Sequence, residues 1–473
     1  MKVSLINTPL DLKQLKGLRT AVLHTLFYNS APLGLASLGA VLLEAGHQPY
    51  LIDALVEQLN FQGVIRRLAA QHPDLVGISA TSIGYHGAVL MAAAIKQWRP
   101  RLPVLIGGPH VSANPEDTLH ERVFDFGFIG EGEQSLLEFI DTYDRGGDAG
   151  TVDGLVWRRN GTILKNHPRR PIANLDSLPM PARHLLPIHR YRPVPVDARE
   201  LPKLTLMSSR GCPFGCIFCD KSVFGRTYRM FSARRVVDEM EALVHDYGAR
   251  DFAFLDSLFN LSIERVHDIL DEMERRRLGV GWSCSVRVDA LDRPLLERMK
   301  RNGCWRVRIG IESGHPEVLA SIRKGITLDQ VRRVTAWADE LDMQPKAFFI
   351  IGHFTDTPDT IRSSIRFACS IPLKDITVQI NTTLRNTIQW EEYARHGRII
   401  EDRADQYSFW QPMFVPSGMT APQLTRLHSR FYRAFYLRPS LIRRHLRAMR
   451  SWRDILVYLN AIRLPLSLFF HRA

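Results

Sequence analysis

The sequence predicts an α/β protein in three parts: a doubly wound parallel sheet, a partial (β/α)6 barrel and a helical C-terminal part. Two regions alternate short apolar strand-like runs with helical stretches, which is the pattern of parallel sheets covered by helices. A proline-rich stretch separates them. We therefore divide the chain into a sheet domain at 1–145, a linker with a hairpin at 146–200, a barrel at 201–395 and a basic helical region at 396–473.

Five apolar runs predict the strands of the N-terminal, Rossmann-like sheet. Stretches with helical apolar spacing separate them, such as the one from Leu33 to the stop at Gly46. Open α/β sheets bind ligands at the carboxyl ends of their strands, so the loops there are this domain's candidate binding residues. The predicted strands are 3–7, 50–53, 75–80, 104–108 and 126–130.

Six further runs predict the strands of a partial TIM-type barrel, and helical stretches separate them. Ahead of this region, Asn160-Gly161 between two strand-like runs indicates a β-hairpin. Several prolines then mark a linker that crosses between the two domains. The predicted barrel strands are 204–207, 252–255, 282–286, 306–310, 347–351 and 376–380.

Composition narrows the class of protein. The 473 residues exceed one ordinary domain, and an apolar share of 45% suits folded cores. The net charge of +13 leaves nucleic acid, anionic lipid, an acidic substrate or simply a solvated basic surface open. Because no apolar stretch reaches the ~20 residues of a membrane span and the first residues resemble a strand, we expect a cytoplasmic protein.

Three of the six cysteines lie in one short loop directly after a predicted strand. Cys212, Cys216 and Cys219 have the spacing C-x3-C-x2-C. Cysteine thiolate is the usual ligand of a 4Fe–4S cluster, and three thiolates leave one iron open to chelate a substrate. The alternative is a zinc site, which would need a fourth ligand. The nearest histidines, His189 and His245, are distant in sequence.

With Phe218 before the last cysteine, this segment resembles the motif of the radical S-adenosylmethionine superfamily. The resemblance covers about residues 201–395. It implies a 4Fe–4S cluster that cleaves bound S-adenosylmethionine to a 5′-deoxyadenosyl radical, with Phe218 beside the adenine. Residues 309–314 resemble the family's fourth-strand motif, which would put the Glu312 carboxylate against S-adenosylmethionine. The alternative for Glu312 is a helix cap.

Arg287 ends the third predicted barrel strand, where its guanidinium can meet a carboxylate bidentately. A plain surface arginine is the alternative. The sequence departs from the resembled family nearby, because Ser257 stands where a second strand-end acid is usual. The loops at 349–356 and 381–387 also lack usual glycine and proline residues. Both loops lie near the expected substrate mouth, so we expect an unusual substrate.

Loops of the N-terminal sheet resemble the cobalamin-binding domain that precedes the barrel in one branch of this superfamily. Glycines at strand ends let a flat corrin approach the backbone, and hydroxyls can bond its amides. No Asp-x-His triplet occurs, so we expect cobalamin without a histidine lower ligand. The alternative is a sheet that has lost the corrin. The candidate cobalamin-binding residues are Ser79, Thr81, Gly107, Gly108, Gly130 and Glu131.

The resemblance implies a cobalamin-dependent radical enzyme that methylates an unactivated carbon of a small-molecule substrate, with flavodoxin or ferredoxin as electron donor. Cyclisation or rearrangement is the alternative, because residues 435–439 resemble the tail of the anaerobic magnesium-protoporphyrin IX monomethyl ester cyclase group. Two alternatives from other functional classes are a tRNA methylthiotransferase and a non-catalytic binding protein. The former would need further cysteines, and none precedes Cys212, so nucleic acid is not an expected partner.

The C-terminal region carries apolar residues at helical spacing among arginines. These are Ile455, Leu456, Leu459, Ile462 and Leu466. Peripheral contact of this region with a membrane and packing of the tail on its own barrel are both consistent with the pattern.

Overall fold

The computed structural model describes residues 1–9, 30–382, 384–401, 407 and 409–448. Two sheets form its frame, a mainly parallel one in the N-terminal part and a parallel one after residue 200. Of the helices in these described ranges, none is long and apolar enough to cross a membrane. The predicted apolar positions between 455 and 466 lie outside the described residues.

The first sheet has seven strands in the order β2-β1-β3-β4-β5-β6-β7. Strands β1 to β5 are parallel and confirm the five predicted runs. The chain winds in opposite directions from β1, so β1 and β3 flank the point where such sheets open a ligand crevice. The strands are β1 Lys2–Asn7, β2 Gln48–Asp53, β3 Leu75–Ser79, β4 Val104–Gly107, β5 Phe126–Phe128, β6 Leu155–Arg159 and β7 Thr162–Lys165.

The predicted hairpin forms as β6 and β7, but it belongs to the first sheet and not to the linker. Strand β6 pairs antiparallel with β5, and β7 pairs with β6. Val156 and Leu155 on β6 are fully buried, so the hairpin extends the apolar core of the sheet. The sheet therefore continues to residue 165, beyond the boundary predicted at 145.

The second sheet has six parallel strands in the order β15-β14-β13-β12-β11-β8 and confirms the predicted half barrel. One large core of buried apolar side chains fills the space between these strands and their helices. Each predicted run forms a strand with bounds shifted by one or two residues. The strands are β8 Lys203–Leu206, β11 Asp251–Phe254, β12 Gly281–Val286, β13 Cys304–Glu312, β14 Lys346–Ile351 and β15 Asp375–Ile380.

Two short antiparallel ribbons complete the strands. Strand β9 (Ser209–Arg210) pairs with β10 (Arg229–Met230), and β16 (Gly397–Ile399) pairs with β17 (Phe414–Pro416). The first ribbon closes the loop that carries the three clustered cysteines. The sequence analysis did not predict either ribbon, because two- and three-residue strands leave no periodic signal.

Helices follow most strands, and side-chain caps begin many of them. The Ser232, Ser262 and Thr327 side chains, for example, accept hydrogen bonds from backbone N–H groups of the first turn. The helices are Leu33–Glu44, Phe61–Gln71, Tyr85–Trp98, Pro109–Ala113, Pro115–His120, Gly132–Asp144, Ala233–Tyr247, Ile263–Arg276, Arg293–Arg301, Pro316–Ser321, Leu328–Glu340, Pro358–Ser370, Ile388–His396, Ala421–Tyr436 and Pro439–Ala448.

The helix Ala421–Tyr436 covers the open edge of the half barrel. Its Tyr432 hydroxyl lies 2.8 Å from the Val378 nitrogen and 3.1 Å from the Val378 oxygen, on edge strand β15. The Arg438 guanidinium, just after the helix, donates to the Cys369 carbonyl over 2.8 Å. An uncovered edge strand would offer unpaired backbone groups to other chains. The tail therefore packs on its own barrel through this helix, and Leu441 beyond it belongs to the barrel core.

Candidate active site

A cavity of about 860 Å³, here called the chamber, lies between the two sheets. The carboxyl ends of β1, β3, β4 and β5 line it on one side, and the carboxyl ends of β8, β11, β12 and β13 line it on the other. All the site residues predicted from the sequence line this one space. They are Cys212, Cys216, Phe218, Cys219, Arg287 and Glu312 on the barrel side, and Ser79, Thr81, Gly107, Gly108, Gly130 and Glu131 on the sheet side.

The cysteine loop begins at a backbone position that only glycine fills without strain. Gly211 has φ +85°, and a Cβ there would lie 2.1 Å from the Thr227 carbonyl oxygen. By contrast, a Cβ at Gly215 would meet only the end of a flexible arginine, at 3.9 Å. Gly211 therefore sets the path of the loop that brings Cys212, Cys216 and Cys219 to the chamber.

The three thiols of the loop lie on one wall of the chamber. Within the ranges that the structure describes, no three His, Cys, Asp or Glu side chains are close enough to share a single metal ion. Desolvation, together with the neighbouring Cys212 and Cys216, raises the pKa of Cys219 to about 11. A cationic iron–sulfur core would offset this cost of forming three nearby thiolates, so the donor set and its spacing fit a cluster.

Asp256 holds the residues that lead into the cysteine loop. Its carboxylate accepts hydrogen bonds from the Ser208 nitrogen at 2.6 Å and the Ser209 hydroxyl at 2.8 Å. Asp256 is fully buried, and desolvation raises the pKa of its carboxyl. The side chain therefore holds the turn between β8 and β9 and does not face the chamber.

Phe218 packs against a buried histidine behind the chamber. The ring centroids of Phe218 and His353 are 5.6 Å apart. Burial lowers the pKa of His353 to about 3, so the imidazole is neutral at physiological pH. The backbone N–H of Gln389 donates to the Ile217 carbonyl over 3.0 Å and fixes the backbone next to Phe218. Neither His353 nor Gln389 was identified from the sequence.

Glu312 sits in a strained backbone conformation at the chamber's barrel wall. Its φ is +69°, where a non-glycine residue costs on the order of 1–3 kcal/mol. Its Oε1 accepts from the Lys324 ammonium at 2.8 Å, and this pair occupies the space that a Cβ at Gly310 would need. Among the described residues nothing donates to Oε2. The carboxylate therefore keeps one oxygen for a ligand in the chamber.

Arg287 meets a carboxylate bidentately, as the sequence suggested, but the carboxylate is internal. Its Nε and Nη2 each lie 2.8 Å from an oxygen of Asp289. The guanidinium carbon lies 3.6 Å from the ring centroid of Phe214, within the cysteine loop. Further bonds run to the Lys324 and Gly325 carbonyls. Arg287 thus ties the cysteine loop to the barrel wall.

A buried ion network, here called the clamp, joins the two domains at the rim of the chamber. Its members are Glu131, Glu133, Arg210 and Arg229. Glu131 accepts from Arg210 at 2.8 Å and from Arg229 at 2.7 Å, and Arg210 also reaches Glu133 at 2.6 Å. Glu131 ends the loop after β5 and Glu133 lies in the first turn of the helix Gly132–Asp144, whereas Arg210 lies two residues before Cys212.

The glycine loops present backbone to the chamber on its sheet side. Gly108 has φ +99°, and a Cβ there would lie 2.9 Å from the Ala80 oxygen. Ser112 links two of the loops, because its hydroxyl donates to the Gly108 carbonyl at 2.9 Å and accepts from the Gly130 nitrogen at 3.0 Å. Thr81 is exposed to the chamber, and Ser79 is half-buried. The bare backbone and apolar walls fit a large flat ring.

No histidine lines the chamber within the part of the chain that the structure describes. His110 follows the Gly107-Gly108 loop, but its ring is buried and stacked on Tyr85 at 3.8 Å between centroids. Its Nδ1 lies 3.2 Å from the Ser82 hydroxyl, and burial lowers its pKa to about 4. His110 therefore supports the loop from behind.

Comparison with known proteins agrees with this division of the chain. Residues 206–368 match the radical SAM superfamily, and residues 19–140 match the B12 binding domain. An uncharacterized methyltransferase of Pyrococcus horikoshii is 32% identical over 444 residues, which cover 93% of this chain and 94% of that protein. The anaerobic magnesium-protoporphyrin IX monomethyl ester cyclase of Rubrivivax gelatinosus is 25% identical, over 88% of this chain and 75% of the cyclase.

A solved structure shares the whole architecture. The radical S-adenosylmethionine methyltransferase TsrM from Kitasatospora setae, solved with cobalamin and a [4Fe–4S] cluster, superimposes with a TM-score of 0.72. The match covers 93% of this chain and 89% of TsrM at 17% identity. At this identity the likeness shows the fold.

Gly211→Ala is expected to abolish iron binding, because the added Cβ would collide with the Thr227 carbonyl and displace the cysteine loop. Iron and sulfide content after anaerobic reconstitution measures this. Gly215→Ala, in the same loop but without such a contact, serves as the matched control and should bind iron like the wild type. A Gly211→Ala protein that takes up a full cluster would contradict the account of this loop.

Glu131→Ala is expected to lower the free energy of unfolding by about 3–5 kcal/mol, because it leaves buried guanidinium groups without their shared partner. Denaturant unfolding at neutral pH measures the change. Glu116→Ala, which removes an exposed pair with Lys165 on the same domain, should change stability by about 0–1 kcal/mol. Equal stability of the Glu131 and Glu116 variants would show that the clamp does not join the domains.

Proposed function

This chain belongs to the radical S-adenosylmethionine enzymes that carry a B12-binding domain, and from that premise we propose that it methylates an unactivated carbon of a small-molecule substrate. The proposal assigns a 4Fe–4S cluster to Cys212, Cys216 and Cys219. It assigns cobalamin to the glycine loops of the N-terminal sheet, without a histidine lower ligand. The similarity to an uncharacterized methyltransferase along nearly the whole chain supports methyl transfer.

One observation carries the proposal: the cysteine loop and the glycine loops line the same chamber. A methyl donor on one wall and a radical source on the other need a common space from which water is excluded. Apolar side chains such as Leu38, Leu105 and Leu136 form much of that space. Its volume of about 860 Å³ is in the range of cofactor and substrate sites.

When bound, the cluster supplies the electron that cleaves S-adenosylmethionine to the 5′-deoxyadenosyl radical, and cobalamin supplies the methyl group. The protein's own groups bind S-adenosylmethionine and the corrin and orient them. The open Oε2 of Glu312 would accept a hydrogen bond from S-adenosylmethionine, while Lys324 holds the other oxygen. Phe218 would lie beside the adenine, with its ring held by His353. Ser79 and Thr81 would bond corrin amides.

The electron that starts the reaction would come from a reduced flavodoxin or ferredoxin. We place the protein in the cytoplasm, where such donors and reduced thiolates coexist. We propose the same four parts of the chain, with the first sheet extended by its hairpin to residue 165 and the linker correspondingly shortened.

Cyclisation or rearrangement of the substrate is the second candidate function. The similarity to the Rubrivivax gelatinosus cyclase over 88% of this chain favours it. The two reactions differ in what happens to the methyl group of S-adenosylmethionine. Isotopically labelled methyl appears in the product of a methyltransferase, and it does not appear in the product of a cyclase.

Each of the variants Cys212→Ala, Cys216→Ala and Cys219→Ala is expected to reduce 5′-deoxyadenosine formation from S-adenosylmethionine to background, because the cluster would lose a ligand. Reconstituted protein, dithionite and chromatography of the nucleoside products measure this. Cys369→Ala, which changes a partly buried thiol outside the chamber, is the control and should retain activity. Cleavage that persists in all three loop variants would refute the assignment of the cluster.

Protein loaded with cobalamin in its Co(II) state is expected to give an electron paramagnetic resonance spectrum without nitrogen superhyperfine splitting. No histidine is available in the described wall of the chamber to ligate the cobalt. Free base-on cobalamin, which shows the splitting, is the reference. A nitrogen splitting that disappears when a histidine of this chain is substituted would contradict the prediction that no histidine ligates the cobalt.

A further inference from the structure

A second, smaller cavity lies inside the half barrel, beneath the chamber. Its volume is about 210 Å³, room for roughly seven water molecules at ~30 Å³ each. It shares Ser257, Leu258, Arg287, Glu312 and Lys324 with the chamber, so the two spaces adjoin. The mechanism proposed above assigns no ligand to this inner cavity.

Arg308 is the one cationic residue in the described lining of the inner cavity that has no carboxylate in contact. It lies on β13, four residues before Glu312, and its guanidinium donates to the Ser283 hydroxyl at 2.6 Å. Ser283 is fully buried and in turn donates to the Phe252 carbonyl at 3.3 Å. Among the described residues, no carboxylate lies within 4.0 Å of the Arg308 guanidinium. The other two cationic groups of the lining, Arg287 and Lys324, each have a carboxylate partner.

Charges deeper in the barrel compensate Arg308 only in part, through Asp197, which is shared with other cations. Arg306 and Lys346 share Asp197 and Asp375, at distances from 2.5 to 3.6 Å. Asp251 accepts from the Trp305 indole at 2.8 Å and from the Arg199 nitrogen at 2.9 Å. Among the residues that the structure describes, this charge cluster comprises four cations and three carboxylates. The cations are Lys203, Arg306, Arg308 and Lys346, and the carboxylates are Asp197, Asp251 and Asp375.

We propose that the inner cavity binds the acidic group of the substrate, a carboxylate, phosphate or phosphonate, through Arg308. A guanidinium matches the geometry of such anions bidentately. The anion would balance the excess interior charge and replace the water that burial has removed from Arg308. The hydroxyls of Ser257 and Ser285 line the same cavity and can also donate.

The remaining walls of the inner cavity define the rest of the substrate. Val286, Val288, Ile326 and Phe348 are apolar and face a ligand of a few carbons. The predicted substrate is therefore a small acid with an apolar body, anchored below and reacting at a carbon that extends into the chamber. This inference rests on the proposed function, because it takes the chamber above as the place of reaction.

The carboxylate of S-adenosylmethionine is the competing source of an anion. Its expected site is one layer higher, beside the cysteine loop and Glu312. Arg308 lies four residues before Glu312 on β13, and its guanidinium bonds the hydroxyl of Ser283, which lies four residues before Arg287 on β12. The position of Arg308 deeper in the barrel favours a ligand other than S-adenosylmethionine.

Calorimetric titration of the full-length, cluster-loaded and oxidised protein tests the inference, with methylphosphonate and propionate as probes in the presence of saturating S-adenosylmethionine. We expect wild-type protein to bind at least one probe and Arg308→Gln to weaken that binding at least tenfold. Arg308→Lys should give a smaller loss. Arg332→Gln, which changes a half-exposed arginine on the outside of the barrel, is the control and should bind like the wild type.

The affinity for S-adenosylmethionine and its reductive cleavage are measured on the same variants. Unchanged values in Arg308→Gln support a substrate subsite, whereas a tenfold loss of S-adenosylmethionine affinity would reassign Arg308 to that carboxylate and overturn the inference. Absence of probe binding by wild-type protein, or equal binding by Arg308→Gln, would also overturn it. Because the titration needs no turnover, failure of methyl transfer is distinguished from failure of anion binding.

A second variant keeps the test decisive if Arg308→Gln does not fold or hold its cluster. Ser283→Ala removes the hydroxyl that orients the guanidinium and leaves the charge in place. We expect it to weaken probe binding several-fold with cluster content unchanged. Probe binding equal to wild type in a cluster-loaded Ser283→Ala protein would contradict the proposed orientation of Arg308.

Discussion

The clamp of Glu131, Glu133, Arg210 and Arg229 is the interaction on which the rest of the site depends. It is buried, it crosses from one domain to the other, and it holds the loop after β5 against the residue that leads into the cysteine loop. A buried ion network contributes little net stability over an apolar contact, but breaking it is costly. Its main effect is therefore to fix one relative position of the two domains, and that position creates the chamber.

Both domains bring the carboxyl ends of parallel strands to that chamber, so loops from two unrelated sheets can act on one ligand. The barrel side pairs its charges closely, with Arg287 on Asp289 and Lys324 on Glu312. The sheet side offers backbone and hydroxyl groups instead. The strained backbone at Glu312 lies in the barrel wall of the chamber. Strain of this kind persists only when its surroundings determine it, and it is concentrated at functional sites.

The strands were predictable because buried parallel strands are short, nearly continuous apolar runs, such as Val3 to Asn7 and Ala347 to Ile351. The cysteine spacing and glycine loops were readable for a similar reason, since each is a local pattern. The clamp was not, because Arg210 and Glu131 are 79 residues apart and no periodicity relates them. Glu131 was predicted to contact cobalamin, yet its carboxylate oxygens are both engaged by arginines. The position of the hairpin likewise depends on tertiary packing.

The central claim is that one chamber holds both the cluster and the corrin. Pulsed electron paramagnetic resonance on anaerobic protein that contains reduced cluster and Co(II) cobalamin tests this most directly, because two paramagnets in one cavity couple through space. The account predicts a resolved magnetic interaction between the two centres and its loss in Gly211→Ala protein. Two independent, uncoupled signals from fully loaded wild-type protein would contradict it.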